Sequence, residues 1–244
     1  MKYYIYFLCS VFLPILQLEA QEIISRQAII SLQNLEDFKP LSGNWELVGD
    51  VSFDSIPGKD KISPGSGILV NRPTKMDAGH LFTNFEHGDI ELELDFMMAK
   101  GSNAGVYLQG RYEIQMFDSW EVENPSFSDC GGIYQRWDES RPEGQKGYEG
   151  KAPSQNASKA PGEWQHFKII FRAPRFNHQG EKSANARFLE VVHNGVVIHE
   201  NVELTGPTRS AAFEDEKELG PLMFQGDHGR VAIRNVSYKT YLKE

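Results

Sequence analysis

The sequence contains very little cysteine. Only Cys9 and Cys130 occur among its 244 residues, and Cys9 lies within an apolar run at the N-terminus. If that run is removed from the mature protein, Cys130 has no partner for an intramolecular disulfide. A disulfide-stabilised scaffold is therefore excluded, and the fold must be held by its hydrophobic core. We expect Cys130 to pack as a small loop residue rather than to act as a nucleophile.

Positive charge is also scarce. The chain has 25 Lys and Arg against 34 Asp and Glu, for a formal net charge of −9. Without a basic tract, a nucleic-acid partner is not expected. No zinc motif, Gly-rich phosphate loop or nucleophile elbow is present. The sequence therefore points away from nucleotide-binding enzymes and serine hydrolases.

Long apolar runs are absent beyond the first twenty residues. Lys2 precedes the apolar stretch Tyr3–Leu18, which is short for a membrane span and contains Pro14. Leu18-Glu19-Ala20 then ends in a small residue, as at a secretory cleavage site. We expect a signal peptide at 1–20 and an exported protein, periplasmic or secreted, that is free of the membrane after cleavage. The alternative is a retained membrane anchor.

Helical periodicity is missing as well, and the apolar residues alternate with polar ones. Ile90, Leu92, Leu94 and Phe96 alternate with acidic residues, the pattern of a half-buried strand. Asn194-Gly195 between two such runs predicts a tight hairpin. Further strands are predicted over 81–85, 104–109, 112–117, 165–172, 188–193, 196–202, 222–225 and 231–241. This spacing predicts a single all-β domain over 21–244, a two-sheet antiparallel sandwich or jelly roll.

Two long segments interrupt the strands. Residues 119–161 are rich in Gly and Pro yet carry aromatic residues, which disordered linkers lack. We expect this segment to wall a cleft, with Trp120, Tyr134 and Trp137 available to stack on sugars. Residues 205–219 are acidic. They are interpreted as a solvated loop, with a cation site as the alternative.

One predicted strand carries a row of polar residues. Arg111, Glu113 and Gln115 share one face, while Tyr112, Ile114 and Met116 share the other and should enter the core. A one-residue bulge would bring Asp118 onto the polar face. The spacing is similar to Glu-x-Asp-x-x-Glu of laminarinase and lichenase sandwich enzymes, with an amide replacing the middle acid. The alternative is a solvent-exposed polar face without chemical function.

A second polar cluster occupies a late turn, Gln225-Gly226-Asp227-His228-Gly229-Arg230. Its glycines permit tight backbone geometry, which can project His228 from the rim of a sheet. A histidine has a near-neutral pKa and suits proton transfer. The alternative is a merely exposed turn histidine.

Several motifs resemble those of the 3-keto-disaccharide hydrolase domain family. They are Asn103–Gln115, Pro161–Gln165, Phe171–Phe176, His193–Val196, Gly220–Gly229 and Arg234–Val236, in the family's order and covering about residues 38–242. The chain departs from the family pattern at Ala104, where Ser is usual, and at an inserted Gly226.

The resemblance implies a concanavalin A-like jelly roll that acts on glycosides oxidised at C3. A ketone at C3 acidifies the C2 proton, so a base can eliminate the C1 substituent and water can then add. Glu113, Asp118 and His228 are the candidate proton-transfer residues, and Arg111, Gln115 and Gln225 the candidate binders of substrate or enolate. No cofactor is required, although a divalent cation could polarise the ketone. A sugar oxidoreductase would have to supply the substrate.

A non-catalytic carbohydrate-binding module is the main alternative. The same jelly roll serves both functions, so the fold cannot distinguish them. The combination of acid, amide and histidine, beyond aromatic platforms, favours an enzyme. An ordinary glycosidase is disfavoured because Gln115 replaces one of its two carboxylates.

Overall fold

A computed structural model describes residues 24–242, and the predicted signal peptide lies outside them. No helix in this range is long and apolar enough to cross a membrane. The strands, in chain order, are β1 (Ile24–Ile29), β2 (Trp45–Ser52), β3 (Lys61–Asn71), β4 (Leu81–His87), β5 (Ile90–Met98), β6 (Asn103–Leu108), β7 (Tyr112–Phe117), β8 (Arg136–Trp137), β9 (Gly147–Tyr148), β10 (Trp164–Arg172), β11 (Arg175–Phe176), β12 (Lys182–Ala184), β13 (Ala186–His193), β14 (Val196–Leu204), β15 (Gly220–Phe224) and β16 (Val231–Leu242).

The strands form two main antiparallel sheets, as predicted. The large sheet has the order β14-β13-β10-β5-β16-β3-β2, with β1 also pairing with β16. The small sheet has the order β4-β15-β6-β7. Sequentially distant strands therefore lie side by side in both sheets, as is typical of a jelly roll.

The hydrophobic core lies between the two sheets. Ile90, Leu92, Leu94 and Phe96 of the large sheet are buried, as are the inward residues Tyr112, Ile114 and Met116 of β7, all as predicted. The ring of Tyr112 lies 5.3 Å from that of Phe171 in β10, which joins the sheets directly. Because Tyr112, Ile114 and Met116 point inward, Glu113 and Gln115 must point to the outer face of the small sheet.

The predicted hairpin at Asn194-Gly195 joins β13 and β14. His193 pairs with Val196, and both turn residues have positive φ, 50° and 82°.

Strands β1 to β3 were not predicted. In β3 the period of two is obscured by Pro64, Gly65 and Gly67, and Gly65 adopts a φ of 151° close to the backbone of Gly49. Glycine fits there because a side chain would clash with the neighbouring strand.

Residues 119–161 close one side of the sandwich. Ile133 bridges Ile114 of β7 and Lys151, which extends the small sheet, and the Ser154 N–H donates to the Ile198 carbonyl of β14. The segment therefore borders the outer face of the small sheet at its β7 edge. Cys130 packs within it, and burial raises the pKa of its thiol to about 12, which keeps the sulfur protonated and unreactive.

Candidate active site

The outer face of the small sheet carries two rows of residues that run across the strands. In one row Tyr107 pairs with Met223 on one side and with Glu113 on the other. In the next row Gly105 pairs with Gln115, and its carbonyl accepts the N–H of Gln225. Paired residues share a face, so β6, β7 and β15 place an acid, a phenol and two amides together.

Glu113 is the acid of this face, and it is only 2% exposed. Its carboxylate lies over Gly105, where a side chain would overlap Oε1. Burial raises the pKa of Glu113 to about 8. The nearby Tyr107 hydroxyl opposes the shift, and the negative charge of Asp227 adds to it. The predicted polar row is therefore buried, and its interpretation as a solvent-exposed surface is wrong.

Tyr107 is a site residue that the sequence analysis missed. It is 1% exposed, and burial together with the Glu113 charge raises the pKa of its hydroxyl well above the usual range. The phenol therefore stays protonated and can donate a hydrogen bond. In a hairpin centred on Gly110, residues equally far from the glycine on either side face each other. The sequence therefore offered a signal that could have predicted the pairing of Tyr107 with Glu113.

The turn after β15 brings a histidine to the rim of this face. His228 Nδ1 lies 2.6 Å from Asp227 Oδ1 and 3.4 Å from Gln225 Nε2. The first distance suits an Nδ1–H that donates to the carboxylate, which orients the ring. The Gly226 N–H donates to His80 Nδ1 at 3.2 Å, so His80, which directly precedes β4 and was also missed, holds the turn.

Gly226 fits this turn because it has no side chain. A Cβ at this position would meet Trp45 Nε1 at 2.7 Å and Asn44 Nδ2 at 2.8 Å. The Gly226 carbonyl also accepts hydrogen bonds from the side chains of Asn44 and Asn71. The extra glycine therefore leaves Gln225 and His228 in contact.

Three amide oxygens on or beside the outer face have no hydrogen-bond partner within residues 24–242. They are Asn103 Oδ1, Gln115 Oε1 and Gln225 Oε1. Gln115 and Gln225 are only 4% and 6% exposed. A buried acceptor without a partner costs folding free energy, and a ligand that supplies donors would remove that cost. Hydroxyl groups are donors of this kind.

Arg111 and Asp118 do not join this group. The side chain of Arg111 is 3% exposed, and its nitrogens donate to the carbonyls of Asp215 and Gln109 and to Asp215 Oδ1. Strand β7 runs to Phe117 in unbroken register, so the bulge needed to bring Asp118 onto the polar outer face is absent. Asp118 Oδ2 instead accepts the N–H of Gly101 at 2.7 Å.

The three predicted sugar-stacking aromatics lie in different places. Tyr134 adjoins the site, because its N–H donates to the Glu113 carbonyl at 3.4 Å. Trp120 is 47% exposed and lines a pocket of about 580 Å³ with Pro125 and Pro153. Trp137 lines a separate pocket of about 540 Å³. The three aromatic residues therefore do not line one common cleft, as was expected.

The acidic segment 205–219 is anchored rather than simply solvated. Asp215 binds Arg111, and Glu216 accepts the Tyr112 hydroxyl and the ammonium of Lys182. Throughout the part of the chain that the structure describes, no cluster of three or more His, Cys, Asp or Glu residues is arranged to hold a metal ion.

A family model decides the relationship of the chain to known proteins. The model for the 3-keto-alpha-glucoside-1,2-lyase-like domain matches residues 32–239. The chain belongs to this family. The resemblance seen in the sequence motifs is thereby confirmed, and family membership identifies a carbohydrate-active domain. Two of the motifs that carry the resemblance, Asn103–Gln115 and Gly220–Gly229, contain the adjoining strands β6, β7 and β15 of the site.

Two solved structures from Parabacteroides distasonis, both candidate glycosyl hydrolases, share the fold of this 3-keto-alpha-glucoside-1,2-lyase-like domain. One is 23% identical with a TM-score of 0.57, and the match covers 86% of this chain and 82% of the other. The second is 20% identical with a TM-score of 0.54, covering 86% and 98%. No curated protein matches the chain significantly.

Proposed function

We propose that the protein cleaves 3-keto glycosides by removing the C2 proton, expelling the C1 substituent and adding water. The observation that carries the proposal is the buried Glu113 carboxylate beside Tyr107 and Gly105. The family description, which names a 1,2-lyase, supports elimination across C1 and C2.

Glu113 is the proposed base. Its raised pKa makes the carboxylate a stronger base than an ordinary glutamate, which suits removal of a proton from carbon next to a ketone. The electron pair of the C2–H bond moves towards C3, and the ketone oxygen gains negative charge. Tyr107, which stays protonated beside Glu113, is the proposed hydrogen-bond donor to that oxygen.

His228 is the proposed acid for the leaving group. As the enolate reforms the ketone, a double bond forms between C1 and C2 and the C1–O bond breaks. The departing oxygen takes a proton from the Nε2–H of His228, whose ring Asp227 holds through Nδ1. In the hydration step water adds its oxygen to C1 and returns a proton to His228, while Glu113 gives its proton back to C2, giving the free 3-keto sugar.

The amides and Gly105 are proposed to hold the sugar ring. Gln115 and Gln225 flank Gly105 in one row, so a ring held between the two amides would meet the Glu113 carboxylate that lies over Gly105. Their unpartnered oxygens can accept sugar hydroxyl groups, which satisfies acceptors that are otherwise buried without a partner. Arg111 and Asp118 are left out of the proposed chemistry because their polar atoms already hold the fold.

The substrate also implies a biological setting. An oxidoreductase must first convert the C3 hydroxyl of a glycoside to the ketone, because the C2 proton of an unoxidised sugar is not acidic enough to remove. We propose that this protein is exported and acts after such an enzyme, on substrates available outside the cytoplasm.

The deciding experiment compares a 3-keto disaccharide with its unoxidised parent. We expect release of the leaving sugar from the oxidised substrate alone, and deuterium at C2 of the product in heavy water after correction for spontaneous exchange. Glu113→Gln should lower turnover by roughly 10²- to 10⁴-fold. Parallel assays with EDTA test whether a divalent cation takes part.

Each alternative has its own outcome. Cleavage without C2 labelling would retain the enzyme and discard elimination, because direct displacement at C1 leaves C2 untouched. Binding of oxidised or ordinary sugars without any cleavage would establish the protein as a carbohydrate-binding module instead.

A further inference from the structure

A second pocket lies beside the site, between the β8–β9 hairpin and residues 207–214. It has a volume of about 540 Å³. Its lining includes the aromatic rings of Trp137 and Tyr148, the guanidinium groups of Arg136 and Arg209, and the carboxylates of Asp138, Glu139 and Glu214. Aromatic faces and guanidinium groups together are suited to a polar ring that carries negative charge.

The guanidinium groups around this pocket differ in their partners. Arg136 contacts Glu149 and the Thr205 hydroxyl, and Arg141, stacked on Tyr148, lies 3.5 Å from Asp138. Arg209 stacks on Trp137 at 3.7 Å, and no carboxylate within residues 24–242 forms an ion pair with it.

The acidic residues nearest to Arg209 are already engaged or exposed. Glu139 accepts hydrogen bonds from Trp137 Nε1 and lies 2.9 Å from the Lys146 ammonium. Glu214 lines the pocket but is exposed to solvent. The Arg209 guanidinium is half-buried and oriented by the Trp137 ring. The pKa of Glu139 is lowered by its hydrogen bonds from Lys146 and Trp137 and further by the charge of Arg209, so Arg209 has a carboxylate nearby but forms no ion pair with it.

Two residues connect this pocket to the outer face of the small sheet. Thr208 Oγ1 accepts the Glu113 N–H and donates to the Arg111 carbonyl. Phe213 lies over the Arg111 guanidinium, 4.7 Å away, and its ring is 6.4 Å from that of Phe82. Thr208 and Phe213 both line the pocket, so it adjoins β7 at the positions of Glu113 and Arg111.

We infer that this pocket binds an anionic substituent on the part of the substrate that extends beyond the reacting ring, and that Arg209 selects it. A carboxylate or a sulfate group can accept two parallel hydrogen bonds from the planar guanidinium. The stacking on Trp137 restricts the guanidinium before the ligand arrives, so little conformational entropy is lost on binding. The identity of the substrate as a 3-keto glycoside rests on the proposed function.

The test uses three 3-keto glucosides that differ in the leaving sugar, namely glucose, glucuronate and a sulfated glucose. We expect kcat/KM to favour a charged leaving sugar over glucose by roughly 10- to 100-fold, the worth of a charge-assisted hydrogen-bonded pair. Arg209→Met should abolish this ratio, and Arg209→Lys should keep part of it. The control Arg141→Met removes a stacked guanidinium that is already paired, and it should preserve the ratio.

The two charged substrates separate carboxylate from sulfate recognition, since a preference for one identifies the group bound. If no 3-keto glycoside is cleaved, the proposed function fails. Titration of glucuronate and sulfated glucose into the full protein, followed by NMR, then tests whether the pocket binds anions independently of catalysis. Binding that Arg209→Met removes supports the assignment. Equal rates for all three substrates, or a ratio that Arg209→Met leaves intact in the folded protein, would overturn it.

Discussion

The carboxylate of Glu113 lies over the backbone of Gly105 on the neighbouring strand. A Cβ on Gly105 would overlap Glu113 Oε1 and lie 3.0 Å from Cδ. Gly105 has no positive φ, so its backbone conformation does not require glycine. The missing side chain instead leaves room above the strand for the Glu113 carboxylate. That space is where the proposed base and a sugar ring would meet.

Gly105→Ala should therefore displace the carboxylate and lower turnover by about tenfold or more, since small misplacement of a catalytic group is costly. The fold should persist because the Glu113 side chain can move aside. Steady-state rates measure the loss, and circular dichroism checks the fold. In a Glu113→Gln background the same substitution should lower turnover much less. Equal losses of turnover in both backgrounds would show that Gly105→Ala does not act through Glu113.

The activity of the protein should rise with pH up to about 8, because Glu113 must lose its proton to act as the base. Asp227→Asn removes a negative charge that raises this pKa, so the ascending limb of log kcat/KM should move to lower pH. A pH–rate profile, corrected for spontaneous breakdown of the keto sugar, measures both effects. A limb that stays in place in Asp227→Asn would contradict this coupling.

Glu113 should also make the stability of the protein depend on pH. Its folded pKa is about 8 against 4.5 unfolded, so between these values the folded chain retains a proton that the unfolded chain has lost. The free energy of unfolding should fall as pH rises through this range, by at most about 1.4 kcal/mol per pH unit, and level off above pH 8. Denaturant unfolding should show this decline in the native protein and a smaller one in Glu113→Gln.

Asp118→Asn should leave turnover within about threefold of the native rate, far from the loss expected for a proton-transfer group. The asparagine can still offer an oxygen to the Gly101 N–H, which is the contact the structure gives this side chain. The ascending limb of the pH–rate profile should likewise stay in place, which makes Asp118→Asn a control for Asp227→Asn. A loss of 100-fold or more would restore Asp118 to the catalytic group.

The mature protein should begin at Gln21, either as the free amine or cyclised to pyroglutamate, if 1–20 are a cleaved signal. Mass spectrometry of the native secreted or periplasmic fraction tests this directly. Recovery of the intact Met1 from the native host's soluble fraction would contradict cleavage. A Met1-containing form in the membrane fraction would point to the retained anchor.

Much of the fold was determined by the sequence alone. Alternation in β5 and β7 predicts both the strands and the faces they bury, since successive side chains point to opposite sides of a sheet. It thereby predicts that Tyr112, Ile114 and Met116 enter the core while Glu113 and Gln115 lie together on the other face. The motifs around these strands also predicted the family, which the family model confirms.

Only the tertiary structure decided which polar residues meet. Alternation cannot tell a buried outer face from a solvated one, and the raised pKa of Glu113 follows from burial by distant segments. Nor can it show that Arg111 is engaged by Asp215, more than one hundred positions away. The pairing of β15 with β6 brings the His228 turn beside a strand far earlier in the chain. Such pairings depend on the whole jelly roll. Backbone hydrogen-bonding groups are the same in every strand, so the packing of the complete fold decides which strands become neighbours.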